Sequence, residues 1–204
     1  MTNTGTKMKK RAFDLIICLT ILVLALPIFI VAALAVRLSS PGEIIFRQRR
    51  VGRGGRPFDI LKFRTMRSGQ PGSVITVAND NRITAVGAIL RKWKLDELPQ
   101  LLNVIRGEMS LVGPRPDVPV FVARYPEALR DRILAVRPGI TDLASVKYRD
   151  EADLLAKQED PEGYYREVIL PDKLALAAAY ADRPTLMLDL RIIFMTLQAI
   201  VVRK

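Results

Sequence analysis

The chain has 204 residues, enough for one sizeable hydrophobic core, so a single compact domain is expected rather than two. Lys and Arg outnumber Asp and Glu by 32 to 21, giving a net charge of +11, although half of the residues are hydrophobic. A chain that is both apolar and basic suits an anionic membrane surface. No nucleic-acid partner is predicted, because the basic residues are not interleaved with stacking aromatics and no nucleic-acid-binding motif is visible.

Histidine is missing from the chain. Its absence excludes Ser-His and Cys-His nucleophilic pairs, histidine-ligated zinc and imidazole as a general base. The single cysteine, Cys18, lies in an apolar run, so it is expected to be a small buried hydrophobe with no intrachain disulfide. A reducing location that faces the cytoplasm agrees with this usage.

The first long feature is an apolar run from Leu15 to Val36, interrupted only by Thr20 and Pro27. Its length suits a transmembrane helix, but basic residues flank it on both sides, and positive charge normally marks the cytoplasmic side. Pro27 removes a backbone hydrogen bond near the middle of the run and should bend it. These features favour a re-entrant helix hairpin; a kinked spanning helix is the alternative.

Downstream of a Ser-Ser-Pro-Gly break at 39–42, two β-rich segments, 44–46 and 58–63, surround the turn Gly52-Arg53-Gly54-Gly55 and predict a basic β-hairpin. The turn matches neither nucleotide-binding glycine motif. Residues 70–81 are expected to form an exposed loop.

The remaining elements are predicted to be helical. Apolar residues recur at helical spacing from Val86 to Ile105, and Pro99 divides that stretch into two pieces. Segments 121–135 and 172–181 are also expected to be helices. The last predicted helix, Leu186 to Val202, is too apolar for a solvated surface at its end but too short to span a membrane. It is expected either to lie at a membrane interface or on a partner, or to be a core helix.

Two adjacent carboxylates, Asp96 and Glu97, are the chemically informative pair. If the first of the two helices continues to residue 97, then Ile89, Trp93 and Glu97 share one apolar face. Carboxylates on such a face are rarely buried without a role and often have a shifted pKa. A new helix beginning at Pro99 would also direct its amide groups toward them and attract phosphate. The alternative is that the helix ends earlier and the pair lies at a new N-terminus.

Arginines in or beside proline-rich or otherwise stiff loops are candidates for phosphate binding. They are Arg64, Arg115 and Arg137, and Arg91, Lys92 and Lys94 add cationic charge beside the carboxylates. For phosphoryl transfer a protein mainly needs a positioned nucleophile, a divalent cation and such cations around the phosphates. An aspartate can supply both the nucleophile and a Mg²⁺ ligand.

Six motifs carry a family resemblance, in the same order and over nearly the whole chain. They are Lys10-Arg11-x-Phe13-Asp14, Phe46-x-Gln48-x-Arg50-x-Gly52, Lys62-Phe63-Arg64-Thr65-Met66, Leu95-Asp96-Glu97-Leu98-Pro99-Gln100, Ser110-Leu111-Val112-Gly113-Pro114-Arg115-Pro116 and Arg137-Pro138-Gly139-Ile140-Thr141. Together they resemble the bacterial sugar transferase family of monotopic phosphoglycosyl transferases, in its minimal form without an additional N-terminal transmembrane bundle.

The resemblance implies transfer of a sugar-1-phosphate from a UDP-sugar to undecaprenyl phosphate, with release of UMP, as the first membrane step of glycan assembly. It implies that Asp96 is the nucleophile and binds Mg²⁺, and that Glu97 assists. Phosphate or substrate contacts are predicted for Lys62, Arg64, Arg91, Arg115 and Arg137, and the resemblance adds Arg149. The family's re-entrant helix agrees with the interpretation of the apolar run.

One stretch departs from the family pattern. Where the family usually continues Gly-Leu-Ala-Gln-Val-x-Gly-Arg, this chain has Asp142 and Ser145 in place of a small residue and an amide, and keeps the last position as Arg149. The local loop shape and the sugar contacts are therefore not carried over from the family.

The resulting prediction is a mainly α-helical monotopic membrane enzyme with a small β-hairpin. Residues 1–40 are expected to form the re-entrant membrane helix and its basic flank, and 41–204 a catalytic domain at the cytoplasmic face of the bacterial inner membrane. Two alternatives stay open: a non-catalytic basic membrane adaptor, and a glycosyltransferase that releases UDP. The sequence specifies neither the sugar nor whether the active form is a homodimer.

Overall fold

The computed structural model describes residues 4–67 and 80–202, and these residues are mainly helical. In chain order the helices are α1 Thr4–Leu24, α2 Leu26–Ser39, α3 Ala85–Lys92, α4 Gln100–Arg106, α5 Pro119–Val122, α6 Glu127–Leu134, α7 Leu143–Lys147, α8 Glu151–Leu155, α9 Pro161–Tyr164, α10 Leu170–Asp182 and α11 Leu186–Val201. The strands are β1 Ile45–Val51, β2 Pro57–Phe63, β3 Ser110–Val112 and β4 Gly139–Thr141. The predicted fold class, mainly α with a small β-hairpin, is confirmed.

The long apolar run forms two helices, α1 and α2, that meet at Ala25. Pro27 lies in the first turn of α2, where its missing amide costs no helical hydrogen bond. The segments Met8–Leu24 and Leu26–Ser39 are bent by 64° relative to each other. The predicted bend is therefore confirmed. Within the described ranges, neither helix alone is long and apolar enough to cross a membrane, whereas the bent pair together has the length and composition to do so.

The bent pair has one face in the protein core and another exposed. Cys18 on α1 and Val36 on α2 are each 0% exposed, which confirms the burial expected for the cysteine. Large apolar side chains cover the outer face: Ile16, Leu19, Val23, Leu24, Leu26, Ile28, Ile30, Val31, Leu34 and Leu38. A contiguous exposed apolar surface of this extent marks a site of interaction.

Polar contacts attach α1 to the C-terminal part of the chain. Lys10 Nζ donates to Asp189 Oδ2 on α11 at 2.6 Å, and Tyr180 OH donates to the other oxygen of that carboxylate at 2.6 Å. Asp14 accepts a hydrogen bond from Ser110 Oγ at the start of β3, at 2.8 Å. Since Asp14 and Asp189 are both buried, these bonds satisfy carboxylates that would otherwise destabilise the core.

The predicted hairpin is present as β1 and β2, which pair antiparallel with Ile45 opposite Phe63. Gly54 and Gly55 have φ values of +68° and +74° in the connecting turn, a conformation that glycine adopts without steric cost. Strand β2 joins two parts of the core, because Ile60 packs with α4 and Phe63 packs with Val36 of α2. The hairpin thus connects the bent helical pair to the rest of the protein.

Helix α3 begins at a capped N-terminus that lies very close to the chain leaving β2. The Thr84 side chain accepts from Gly87 N at 2.9 Å. A Cβ at Gly87 would lie 2.1 Å from the backbone oxygen of Thr65, so only glycine fits there. This approach fixes α3 against the strand that carries Lys62.

The predicted helix from Val86 does not continue to residue 97, and this prediction was wrong. Helix α3 ends at Lys92, Lys94 has a left-handed conformation with φ of 56°, and a separate 3-10 turn spans Leu95–Glu97. A residue in the left-handed region breaks the α-helical path. As a result Ile89 and Trp93 are exposed, whereas Glu97 is buried.

The other helical predictions are largely confirmed. Segment 172–181 lies within α10, and Leu186 to Val202 corresponds to α11. The segment 121–135 forms two helices, α5 and α6, separated at Pro126 rather than one. The predicted loop at 70–81 falls outside the described residues except for Asp80 and Asn81. The division of the chain at residue 40 stays a prediction.

Helix α11 has one buried face, as expected of a core helix, and one exposed apolar face. Ile192 and Asp189 are 0% exposed and belong to the protein interior. The opposite side carries exposed apolar side chains: Met187, Leu190, Phe194, Leu197 and Val201. One face is therefore that of a core helix, and the other is an apolar surface.

Candidate active site

The site forms where a short 3-10 turn brings Asp96 and Glu97 between α3 and α4. Their residue exposures are 7% and 8%, so both carboxylates are removed from bulk water. At the start of α4, Leu101 N and Leu102 N donate to the carbonyls of Leu98 and Pro99, so these two amides do not bind the carboxylates. The surroundings of the pair are therefore set by side chains.

Glu97 is held by two cations on one oxygen. Lys62 Nζ, from β2, lies 2.7 Å from Glu97 Oε1, and Arg115 Nη2, from the loop after β3, lies 2.6 Å from the same atom. Burial opposes ionisation of Glu97, but Arg115 and Lys62 outweigh it and hold the pKa of that carboxyl well below its ordinary value. Glu97 is therefore ionised and fixed in position.

Asp96 has the opposite environment. Its Oδ1 is buried and has no hydrogen-bond partner among the residues that the structure describes. Burial, reinforced by the neighbouring charge of Glu97, raises the pKa of Asp96, while Lys62, Lys94 and Arg91 act in the other direction. Two adjacent carboxylates whose pKa values are displaced in opposite directions are suited to different chemical roles.

Cationic side chains surround the pair. Arg91 on α3 donates from Nε to Thr65 Oγ1 at 2.8 Å, and burial lowers its pKa. Arg115 is fixed at its backbone as well, because its amide donates to Asp142 Oδ2 at 3.3 Å. Of the predicted phosphate-binding residues, the structure therefore brings Lys62, Arg91 and Arg115 to the carboxylates. Guanidinium groups fixed in this way are well placed to bind phosphate.

The other three predicted arginines contact helix ends elsewhere. Arg64 Nη2 donates to Ser40 O at 2.6 Å and to Val36 O at 3.3 Å, at the end of α2. Arg137 Nε donates to Gly107 O after α4 at 2.8 Å, and Arg149 Nη1 donates to Ala199 O near the end of α11 at 2.9 Å. Cations commonly satisfy helix C-terminal carbonyls in this way. Their role in phosphate binding stays a prediction.

Two further residues close to the pair in the chain were not predicted to be site residues, although Lys94 was expected to add cationic charge. Lys94 acts on the pKa of both carboxylates, and its place next to the pair was its only sequence signal. Gln100 is 1% exposed, and its Nε2 is buried with no partner within the described ranges. Gln100 is the last residue of the motif that contains Asp96 and Glu97, and this position was its only sequence signal.

Asp96 and Glu97 are also the candidate ligands for magnesium. Within residues 4–67 and 80–202 no group of three or more Asp, Glu, His or Cys side chains is arranged to hold a metal. Magnesium, however, is commonly bound by one or two carboxylates together with water and substrate phosphates. The Asp96 carboxylate fits that kind of site, because its Oδ1 has no partner within the described residues, whereas Glu97 Oε1 is already engaged by Lys62 and Arg115.

Comparison with known proteins identifies relatives along most of the chain. A UDP-glucose:undecaprenyl-phosphate glucose-1-phosphate transferase of Escherichia coli is 44% identical over 75% of this chain and 34% of its own length. The protein of the same name from Caulobacter vibrioides is 46% identical over 72% of this chain and 57% of its own. The chain thus spans about a third to just over half of these two relatives.

Other relatives are similar in length to this chain. The exopolysaccharide production protein ExoY of Sinorhizobium fredii is 35% identical over 94% of this chain and 84% of its own length. The family model described as bacterial sugar transferase matches residues 5–203, which include all the residues of the site. The chain therefore belongs to the bacterial sugar transferase family.

Proposed function

We propose that the protein is a phosphoglycosyl transferase that moves a sugar-1-phosphate from a UDP-sugar to undecaprenyl phosphate and releases UMP. The named relatives are undecaprenyl-phosphate glucose-1-phosphate transferases and an exopolysaccharide production protein, and these names support a role at the first membrane step of glycoconjugate assembly. The observation that carries the proposal is the buried Asp96 Oδ1, which lacks a partner among the described residues, beside a Glu97 held by two cations.

In the first step Asp96 Oδ1 attacks the phosphorus that bears the sugar. A bond forms between the carboxylate oxygen and this phosphorus, the bond to the bridging oxygen breaks, and UMP leaves with the electron pair. Lys62, Arg91 and Arg115 stabilise the charge on the phosphate oxygens. Because Glu97 keeps Lys62 and Arg115 in place, it acts as a positioning residue for this step.

In the second step an ionised oxygen of undecaprenyl phosphate attacks the same phosphorus. The bond to Asp96 breaks, the carboxylate is regenerated, and the sugar is linked to the lipid through a diphosphate. The covalent route lets a soluble donor and a lipid acceptor react in turn, so that neither step needs both substrates bound together. Ping-pong kinetics are expected.

Magnesium is the cofactor proposed for this site, with Asp96 as its protein ligand. Bound Mg²⁺ would neutralise charge on the donor diphosphate and support departure of UMP. The chain itself contributes the carboxylate, and the cations Lys62, Arg91 and Arg115 supply the remaining positive charge.

The bent pair α1–α2 is proposed to enter the cytoplasmic leaflet of the bacterial inner membrane and return to the same side. Its apolar outer face, the 64° bend and the basic residues on both flanks support this arrangement. Packing of Phe63 against Val36 and Phe29 then holds the hairpin, and with it Lys62, next to the membrane segment. The acceptor phosphate would thereby meet the site at the lipid surface.

A topology experiment tests the membrane arrangement. Single cysteines replace Gly5 and Arg53 in a Cys18→Ala background, and intact cells receive a membrane-impermeant maleimide. We expect neither cysteine to react until the cells are permeabilised, because both flanks are expected to face the cytoplasm. Pro27→Ala removes the steric restraint of the proline ring on the preceding turn, so α1 and α2 should join more often into one straight helix and make the Gly5 site partly accessible. Reaction of only one of the two cysteines without Pro27→Ala would show a spanning helix.

The proposed nucleophile also predicts a pH effect. Asp96 must be ionised to attack, so activity should fall as pH decreases through its pKa, which is raised above 3.8. Lys94 favours the ionised form; Lys94→Met should therefore raise the pKa of Asp96 further and move the acid limb of kcat/KM to higher pH. Lys92→Met on the exposed side of α3 is the matched control. An acid limb that stays in place, or moves to lower pH, in Lys94→Met would contradict this assignment.

The overall function is tested by identifying the nucleotide product with a panel of UDP-sugars, undecaprenyl phosphate and Mg²⁺. Release of UMP with at least one donor is expected. Release of UDP would indicate transfer of the sugar without its phosphate, and absence of any nucleotide product would favour a membrane adaptor.

A further inference from the structure

A cavity of about 250 Å³ is lined in part by Arg115, the residue whose guanidinium contacts Glu97. Its walls come from the loop after β3 and from α7, α10 and the π-helical turn Tyr165–Ile169. Among its lining residues are Arg50, Arg115, Asp117, Asp142, Ser145 and Tyr165. No residue of the proposed catalytic step other than Arg115 lines it.

Arg115 connects the two places directly. Its Nη2 donates to Glu97 Oε1 at 2.6 Å, its backbone amide donates to Asp142 Oδ2 at 3.3 Å, and both Arg115 and Asp142 line the cavity. Arg115 is thus shared between the cavity and Glu97, the neighbour of the proposed nucleophile.

The polar groups of the cavity differ from those around Asp96. Its carboxylates, Asp117, Asp142 and Glu151, are balanced by the cations Arg50, Arg115 and Lys173. Asp142 Oδ1 accepts from Ser145 N at 2.7 Å and Asp117 Oδ2 from Tyr125 OH at 2.9 Å, so these carboxylates are fixed. Carboxylates disfavour a diphosphate but accept hydrogen bonds from hydroxyl groups.

Two further features indicate a ligand with hydroxyl groups. Arg50 Nε is buried with no hydrogen-bond partner in the part of the chain that the structure describes, which leaves a donor for a ligand oxygen. Tyr165 and Phe121 also line the cavity, with ring centroids 6.0 Å apart, and provide apolar surface for the carbon skeleton. The volume is below the roughly 300–1,000 Å³ of pockets that hold drug-sized ligands, so one ring fits better than a whole UDP-sugar.

From these observations we infer that the cavity binds the sugar ring of the UDP-sugar donor. The inference rests on the proposed function, in which the sugar is attached to the phosphorus that Asp96 attacks. A uracil ring is the other neutral part of the donor, but it lies one phosphate further from that phosphorus. Asp142, Ser145 and Tyr165 are then sugar-binding residues.

The test uses a substitution that reduces the volume of the cavity and compares its effects on the UDP-sugar and on UMP. Ser145→Phe introduces an aromatic ring into the cavity, and Val168→Phe adds the same ring to the exposed face of the adjoining helical turn as a matched control. For each protein, kcat/KM is measured with the UDP-sugar that gives the most UMP release. The dissociation constant of UMP with Mg²⁺ is measured by titration calorimetry. Ser145→Leu replaces Ser145→Phe if the latter does not fold.

Ser145→Phe should lower kcat/KM for the UDP-sugar by about tenfold or more and leave UMP binding within about twofold, because UMP lacks the sugar. Val168→Phe should change neither value. Equal losses of UDP-sugar turnover and UMP binding would mean that the cavity holds the nucleotide, and unchanged values would mean that it holds no part of the donor; either result overturns the inference. If wild-type protein releases no UMP from any UDP-sugar, the proposed function itself fails, which is a separate outcome.

Discussion

Asp96→Asn should abolish turnover, with a loss on the order of 10⁴-fold or more, the scale on which covalent nucleophiles contribute. Asparagine keeps the size and shape of the side chain but provides no anionic oxygen for attack or for Mg²⁺. The measurement is UMP release with donor, acceptor and Mg²⁺, compared with Asp131→Asn on the exposed face of α6 as a control. Substantial turnover by Asp96→Asn would exclude Asp96 as the nucleophile.

Asp96→Asn also distinguishes a loss of catalysis from a loss of folding stability. The structure gives Asp96 Oδ1 no partner among the described residues, and burial raises the pKa of the carboxyl, so its ionised form destabilises the protein at neutral pH. Asp96→Asn removes that buried charge. We therefore expect its melting temperature to equal or exceed that of the wild type while its activity is lost. A decrease in both would indicate a structural defect instead.

Glu97→Gln should lower kcat by about 10²–10⁴-fold, the range typical of groups that assist proton transfer or position a reacting group. Loss of this charge leaves the cations Lys62 and Arg115 close together without their shared carboxylate, so both the site geometry and the stability should suffer. Single-turnover UMP release and thermal melting measure the two effects.

A second substitution separates the loss of catalytic positioning from the loss of stability that Glu97→Gln is expected to cause. Adding Lys62→Met removes one of the two unpaired cations and should recover part of the melting temperature without recovering kcat. Recovery of kcat together with stability would show that Glu97 has only a structural role. A milder effect for Asp96→Asn than for Glu97→Gln would reverse the assigned roles of the two carboxylates.

The parts of the fold that local rules determine were predictable from the sequence. The hairpin follows from its glycine turn and β-branched flanks, and the bend between α1 and α2 follows from Pro27. The end of α3 was not predictable, because Lys94 adopts a left-handed conformation that glycine and asparagine usually adopt and lysine rarely does. The apolar spacing through Ile89 and Trp93 therefore indicated a longer helix than the one that forms.

The site shows the same division. Burial of Asp96 and Glu97 was predicted correctly. The reason given for it, a continuous helix to residue 97, was wrong, because a separate 3-10 turn buries the pair. From the sequence, the same phosphate-binding role was predicted for all the candidate arginines. Only the tertiary structure shows that Arg115 meets Glu97 while Arg137 and Arg149 contact carbonyls near helix ends. A guanidinium satisfies either partner equally well, so motif position alone cannot separate them.

Covalent capture of the phosphosugar on Asp96 is the central claim, and mass spectrometry of the protein after incubation with UDP-sugar and Mg²⁺ tests it most directly. No lipid acceptor is added, so the first step can proceed and the second cannot. We expect UMP release and a sugar-phosphate added to the peptide that contains Asp96, with no adduct in Asp96→Asn. If the wild type forms no adduct and UMP appears only when donor and acceptor are present together, Asp96 acts as a metal ligand and the transfer is direct.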